Sequence, residues 1–427
     1  MPLRARRLTL LVPPLVVAAA VVLLLARPGG RSGQTLRESV IAARWDSPEE
    51  FEAVARDVEA YDRDFGAEPA ARWFAAEAWA HLGRYAKAVD TARGRIAAPL
   101  SSADARRLAM LLLSRIGRLT GSPQSHSLYY PRTLEARIAA GEPGAREELE
   151  AAIASMSLSE MAPLFKQFQR SQTPATRALA DALLSRSKDR EFEIAGATLV
   201  TGPRDRSHID LLLEVLRSSW RFERRPTWTR VVSALGASGD PKAVAALHGE
   251  REQLVEASLQ ADALRQAFDV GLALSGDAPS HERIMKAGAA GGADVAGHLY
   301  AWGLERQWAQ GDPTAAERLR ALFDAAPGPT TRVQVAVGTL LAEPLPEGSF
   351  LLLDHVAEAF ARDNDPFHRV LAHAYALRRG GEGMASTLVD DLAALIPRVD
   401  LSGLVVVDDT LASGVIEALG ALARWAR

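Results

Sequence analysis

"VVSALGASGDPKAVAAL", residues 231–247, holds a helix end, a break and a helix start. A glycine stops one helix, an aspartate caps the next, and a proline takes its first position. The same break returns along the chain. "SGDAPSHERI" starts at Ser275, "QGDPTAAERL" at Gln310, and "DNDPFHRVLA" carries the shape to Asp365. Asp240, Asp277 and Asp312 stand 37 and 35 residues apart. A period of about 35–45 residues with two helices per unit marks a stacked helical array.

Amphipathic segments fill the space between breaks. "PEEFEAVARDVEAYDRDF", "SADARRLAMLLLSRIGRL" and "TRALADALLSRS" all place apolar residues at three and four, not at two. In 313–323, Ala315, Leu319 and Leu322 form one stripe, with Ala316 and Phe323 beside it and Glu317, Arg318 and Arg320 flanking. Break spacing over the whole length predicts roughly twenty helices. The expected fold is all-α: a right-handed superhelical solenoid of stacked antiparallel helix pairs.

Composition agrees. The chain has 427 residues, 48% hydrophobic and only 6% aromatic, so its core is built from small and γ-branched side chains that favour helices. Net charge is −3. Residues 1–31 hold Arg4, Arg6, Arg7, Arg27 and Arg31 and no acid, which leaves −8 for the remainder. An acidic body argues against a nucleic-acid partner. There is no cysteine, which excludes disulfides, thiol nucleophiles, thiolate metal sites and a lipoprotein anchor.

Residues 8–26, "LTLLVPPLVVAAAVVLLLA", carry no charge over 19 positions, and a spanning helix needs about 20. A basic tail, residues 1–7, precedes them, and "RPGGRSGQ" follows. A cleaved signal peptide and an uncleaved anchor both fit this pattern. The anchor fits better, because cutting within Ala18-Ala19-Ala20 would leave "VVLLLA" on the mature end. Arginine is heavier on the N-terminal flank, which places the N-terminus in the cytoplasm and the body outside it, periplasmic in a bacterium. The membrane is therefore an expected partner, through residues 8–26.

Two stretches resemble repeat families. The opening stretch resembles a HEAT-type repeat junction. "AEAWAHLGRYAKAVDTA" (76–92) resembles a tetratricopeptide unit: Gly83, Tyr85 and Ala88 match its small-aromatic-small pattern, while Ala92 stands where an aromatic is usual. The Ser- and Pro-rich "TGSPQSHSLYYP" (120–131) divides the body into a tetratricopeptide-like part, 34–120, and a HEAT-like part, 131–427. Both resemblances imply a concave surface that binds proteins or peptides, and neither implies catalysis.

A third resemblance points elsewhere. "LVVVDDTLASG" (404–414) resembles the phosphoribosyl-pyrophosphate motif of phosphoribosyltransferases. That resemblance implies that Asp408 and Asp409 hold the ribose and that Thr410 to Gly414 wrap the phosphate. Val415 and Ile416 depart from the family's usual pair after the loop glycine. The competing reading makes 404–407 a buried apolar run and lets Asp408 or Asp409 cap a last helix, 410–427.

Of the remaining candidates, "WRFERRPTWTR" (220–230) is the one for a contact surface. Trp220, Phe222 and Trp228 interleave with Arg221, Arg224, Arg225 and Arg230. Such a mixture can read an acidic peptide, a glycan or a lipid head group. It equally describes an inter-helix turn whose tryptophans pack inward while arginines snorkel. His368 and His373 are five apart with no acid to complete a metal set. "GAAGGADVAG" (288–297) follows no strand and reads as a helix break. Asp390 and Asp391 read as favourable charges at a helix start. No catalytic residue, cofactor or metal is expected. The sequence thus predicts a membrane-anchored helical-repeat scaffold or adaptor for an unknown protein partner. Its alternatives are a phosphoribosyl-binding enzyme and a subunit of an envelope assembly.

Overall fold

The computed structural model describes residues 33–44, 47–94, 99–118, 129–155, 174–185, 188–253, 259–289, 295–325, 329–341, 349–362, 365–381, 383–401 and 409–426. Among them the chain is all-helical, without a strand. Residues 8–26 lie outside this set, and no described helix is long and apolar enough to cross a membrane.

The repeated breaks fold as their chemistry dictates. Gly239, Gly276 and Gly311 take positive φ values of 59°, 100° and 87°, the left-handed region open to glycine. The aspartates then cap. Asp240 accepts from the Lys242 and Ala243 amides at 2.9 and 3.3 Å. Asp277 accepts from the Ser280 amide, Asp312 from that of Thr314 and Asp365 from that of Phe367, each at 2.9 Å. Each cap satisfies donors that a helix start leaves open.

In chain order the first described helices are α1 (Gly33–Ala42), α2 (Pro48–Phe65), α3 (Pro69–His81), α4 (Tyr85–Arg93) and α5 (Ser102–Leu113). Next come α6 (Tyr130–Ala139), α7 (Ala145–Ser155), α8 (Pro174–Ser185), α9 (Arg190–Val200), α10 (Ile209–Leu216) and the single turn α11 (Trp220–Glu223). The C-terminal series runs α12 (Arg225–Ser238), α13 (Pro241–Glu252), α14 (Leu259–Leu274), α15 (Ala278–Ala289), α16 (Val295–Ala309) and α17 (Pro313–Ala325). It continues with α18 (Pro329–Leu341), α19 (Ser349–Ala361), α20 (Pro366–Arg378), α21 (Met384–Leu395) and α22 (Asp409–Trp425).

From α12 onward, alternate helices pack together. α12, α14, α16, α18, α20 and α22 form one layer, each against the next, while α15, α17 and α19 line up in a second. The first layer approaches closely: a Cβ on Gly236 would run into the backbone of Gly271 on α14. One side chain stitches three helices there. The buried Gln307 amide of α16 donates to Ala237 O of α12 at 3.1 Å and to Leu274 O of α14 at 2.8 Å. These carbonyls sit in last helical turns and lack intrahelical donors. Arg318 completes the knot by donating to Gln307 Oε1 at 2.8 Å. Arg318 is therefore only half-buried scaffolding, not the solvent flank its neighbours suggest. The predicted stripe of α17 is otherwise as expected, with Ala315, Leu319, Leu322 and Phe323 buried.

The chain then closes on itself. α22 packs on α20 and also on α5 and α6 near the other end, and α21 touches α4 and α5. Arg93 bridges to Asp390 of α21 at 2.5 Å. Ala412 to Ala423 are all buried, so α22 is enclosed on every side, its Ser413 and Glu417 included. One apolar core accordingly runs from Leu36 to Ala426, across the division at 120–131. Nearby, α6 is tied by charge: the buried Arg137 guanidinium donates to Glu142 at 2.7 and 2.6 Å and to Glu148 at 2.9 Å. Tyr130 and Arg118 also donate to Glu148. The three donors hold the Glu148 carboxyl below its ordinary range despite burial.

Candidate functional site: an arginine and aromatic ridge

Residues 220–230 fold as the short turn α11 running into α12, and the structure sorts their side chains into two sets. Trp228 belongs to the core. It is fully buried, donates Nε1–H to Leu216 O at 3.1 Å and meets Phe268 edge-on at 5.2 Å between ring centres. The expectation that Trp228 helps contact a partner is corrected by this burial. The signal lay in the spacing: Trp228, Val231, Val232 and Leu235 follow the i, i+3, i+4, i+7 pattern of a buried stripe, and all four are buried.

Trp220 is intermediate, with one face on the core cluster between Ile194 and Leu272. Phe222 is left out in solvent at 56% exposure. The arginines stand around it. Arg221 lies 5.0 Å from the Phe222 ring and bridges to Glu250 at 3.6 Å. Arg224 lies 5.6 Å from the Trp220 ring and pairs with Glu191. Arg225 meets no carboxylate among the described residues. Arg230 is drawn inward, and burial pulls its guanidinium down to about 10. Glu191 and Glu250, on α9 and α13, were invisible as members of this group because they lie outside the stretch.

The surface is thus an exposed ridge with an apolar tip and arginines already half neutralised. Such a tip can enter an apolar pocket, and its paired arginines offer hydrogen bonds at the rim at modest desolvation cost. It provides no nucleophile or acid–base pair.

No family model matches this chain, and no curated protein and no solved structure is significantly similar to it.

Other candidates resolve differently. Residues 404–408 lie outside the described set, so the apolar run and Asp408 have no structural account. Residues 410–414, which the phosphoribosyl resemblance makes a phosphate loop, are instead the opening of α22. Ala412 and Ser413 are buried there, and a Cβ on Gly414 would strike the Phe367 ring. This glycine serves close packing of α22 on α20, not the wrapping of a phosphate. Asp390 and Asp391 sit inside α21, not at its start. Asp390 pairs with Arg93, and Asp391 bonds His373 Nδ1 at 2.5 Å, so cross-helix pairing replaces the expected dipole role. His368 stacks on Phe360 with ring centres 4.4 Å apart. Among the described residues no group of three or more His, Asp or Glu is placed to hold a metal.

Proposed function

We propose that this chain is a helical-repeat scaffold, fixed to a membrane through residues 8–26, whose extracytoplasmic body holds a protein partner. The helix pairs form a solenoid, and the ridge around Phe222 is the contact surface. The observation that carries this reading is Phe222 itself, a large apolar side chain exposed on a short turn beside the paired Arg221 and Arg224. Recurring capped junctions and alternate-helix layering support the solenoid. The long uncharged stretch beside a basic tail supports the anchor. Anchoring raises the local concentration of the pair, so modest affinity suffices.

The test is crosslinked affinity purification from membranes with the full chain and its Phe222→Asp variant. A stoichiometric protein captured by the first and lost from the second supports the scaffold. A full chain that captures nothing, or a variant that captures the same protein equally, overturns the ridge. Carbonate extraction of the full chain against a chain beginning at residue 31 tests the anchor. Release of the full chain into the supernatant overturns it.

A further inference from the structure

Far from the ridge, α1, α3 and the turn after α5 enclose a cleft of about 190 Å³. The apolar lining is Val40 and Ile41 from α1, and Phe74 and Ala78 from α3. Ile41, at 55% exposure, stands at its rim, and Tyr61 props the Phe74 ring edge-on at 5.1 Å. The polar lining is Arg37, Glu77, His81 and Arg115. Three separated segments therefore converge on one space, and α1 and α3 each present apolar and charged residues from the same helix face.

The charges do not cancel. Arg115 Nη2 gives Glu77 a single bond at 3.1 Å, the one carboxylate among the residues that line the cleft. Arg37 meets no carboxylate among the described residues. Arg118, the next cation along, is spent on Glu148. His81 adds no charge: burial first, then Arg115 and Arg118 against Glu77, pull its imidazole down to about 4, so it is neutral at pH 7.

We propose that this cleft binds a small organic anion with an apolar body, of the size and kind of an aromatic or short-chain monocarboxylate. Its carboxylate accepts from Arg115 and Arg37, and its body lies on Phe74, Ala78, Val40 and Ile41. The size follows from volume, since a cavity of about 150 Å³ accommodates benzene. The sign follows from two guanidinium groups facing one carboxylate. The site is separate from the Phe222 ridge and does not depend on the scaffold reading.

Calorimetric titration of the detergent-solubilised full chain at pH 7 tests it, with benzoate as the probe. Benzyl alcohol keeps the body and drops the charge, and acetate does the reverse. Saturable benzoate binding, with each control at least about tenfold weaker, is the expected result, a tenfold ratio being 1.4 kcal/mol. Arg115→Met and the cleft-filling Ala78→Met should each weaken benzoate by at least that factor with helicity unchanged, while Phe222→Asp leaves it intact. A nearby anion favours imidazolium, so benzoate should also raise the His81 pKa read by NMR. Three outcomes overturn the proposal. They are no saturation by about 10 mM benzoate, weaker than any useful affinity on the scale where 1 mM is −4.1 kcal/mol; benzyl alcohol or acetate equal to benzoate; and undiminished binding by a folded Arg115→Met.

Discussion

The two large apolar side chains most exposed among the described residues, Phe222 and Ile41, mark two very different surfaces. Around Phe222 one continuous stretch supplies an exposed ridge, and Arg221 and Arg224 have their carboxylates. Around Ile41 the chain is concave, and three segments supply a lining in which two arginines share one carboxylate. An exposed apolar tip on a single stretch suits a partner that brings its own pocket. An under-satisfied hollow suits a ligand that brings its own charge. The contrast also separates structural from binding residues: Trp228 under the ridge is fully buried and works for the fold, whereas Arg115 lines an open cleft.

Substitutions can break that contrast, beginning with the most severe. Trp228→Ala removes the support of the ridge and should cost about 3–5 kcal/mol, the usual range for a buried aromatic truncated in a core, measured by urea denaturation. A loss below about 1 kcal/mol would make the ridge self-supporting and remove the distinction between its two sets. Arg137→Met leaves Glu142 and Glu148 without their buried cation and should cost about 3–5 kcal/mol. The same denaturation would show a collective change at α6 without altering benzoate binding in the cleft.

Acid should act on the hollow and spare the ridge. The His81 imidazole is lowered from its ordinary 6.5 to about 4, so the unfolded chain takes up its proton first. Stability from this group is full above about pH 6.5 and falls as pH drops toward 4. His281 is lowered too, through burial and Arg318, so His81→Gln should flatten part of the acid loss in denaturation midpoints. An unchanged pH profile would mean that His81 is solvated. At the mild end, Asp240→Ala should cost about 1 kcal/mol as a lost helix cap. Arg224→Ala at the exposed ridge should cost less than about 1 kcal/mol, since exposed pairs contribute little. A larger loss at Arg224 would make the ridge a structural brace.

These particulars show where sequence reasoning reaches. Asp240, Asp277, Asp312 and Asp365 were legible as caps because capping involves only the next three residues. The layered packing was foreshadowed by the same spacing. Within the ridge, the burial of Trp228 was legible from its phase with Val231 and Leu235, but a stretch read as a string of residue types hides that phase. Glu191 and Glu250 were not legible, because nothing local links them to Arg224 and Arg221. The cleft lies beyond sequence for the same reason: Glu77 and His81 are one helical turn apart, but Arg37 and Arg115 join them only through tertiary packing. The opening of α22 misled in the opposite sense. A small-residue run that suits a loop also suits a helix pressed against Phe367, and only the neighbour decides between them.

The docking of α21 and α22 against α4, α5 and α6 bears on how the protein is made. Arg93 and its partner Asp390 are separated by 297 residues. At ribosomal rates of about 5–20 residues per second, the early helices wait roughly 15–60 s for the segments that cover them. Through that interval Leu108, Leu112 and their neighbours have apolar faces without their final cover. Those faces stay open until the last helix is made, so shortening this protein at α22 would leave them open for good.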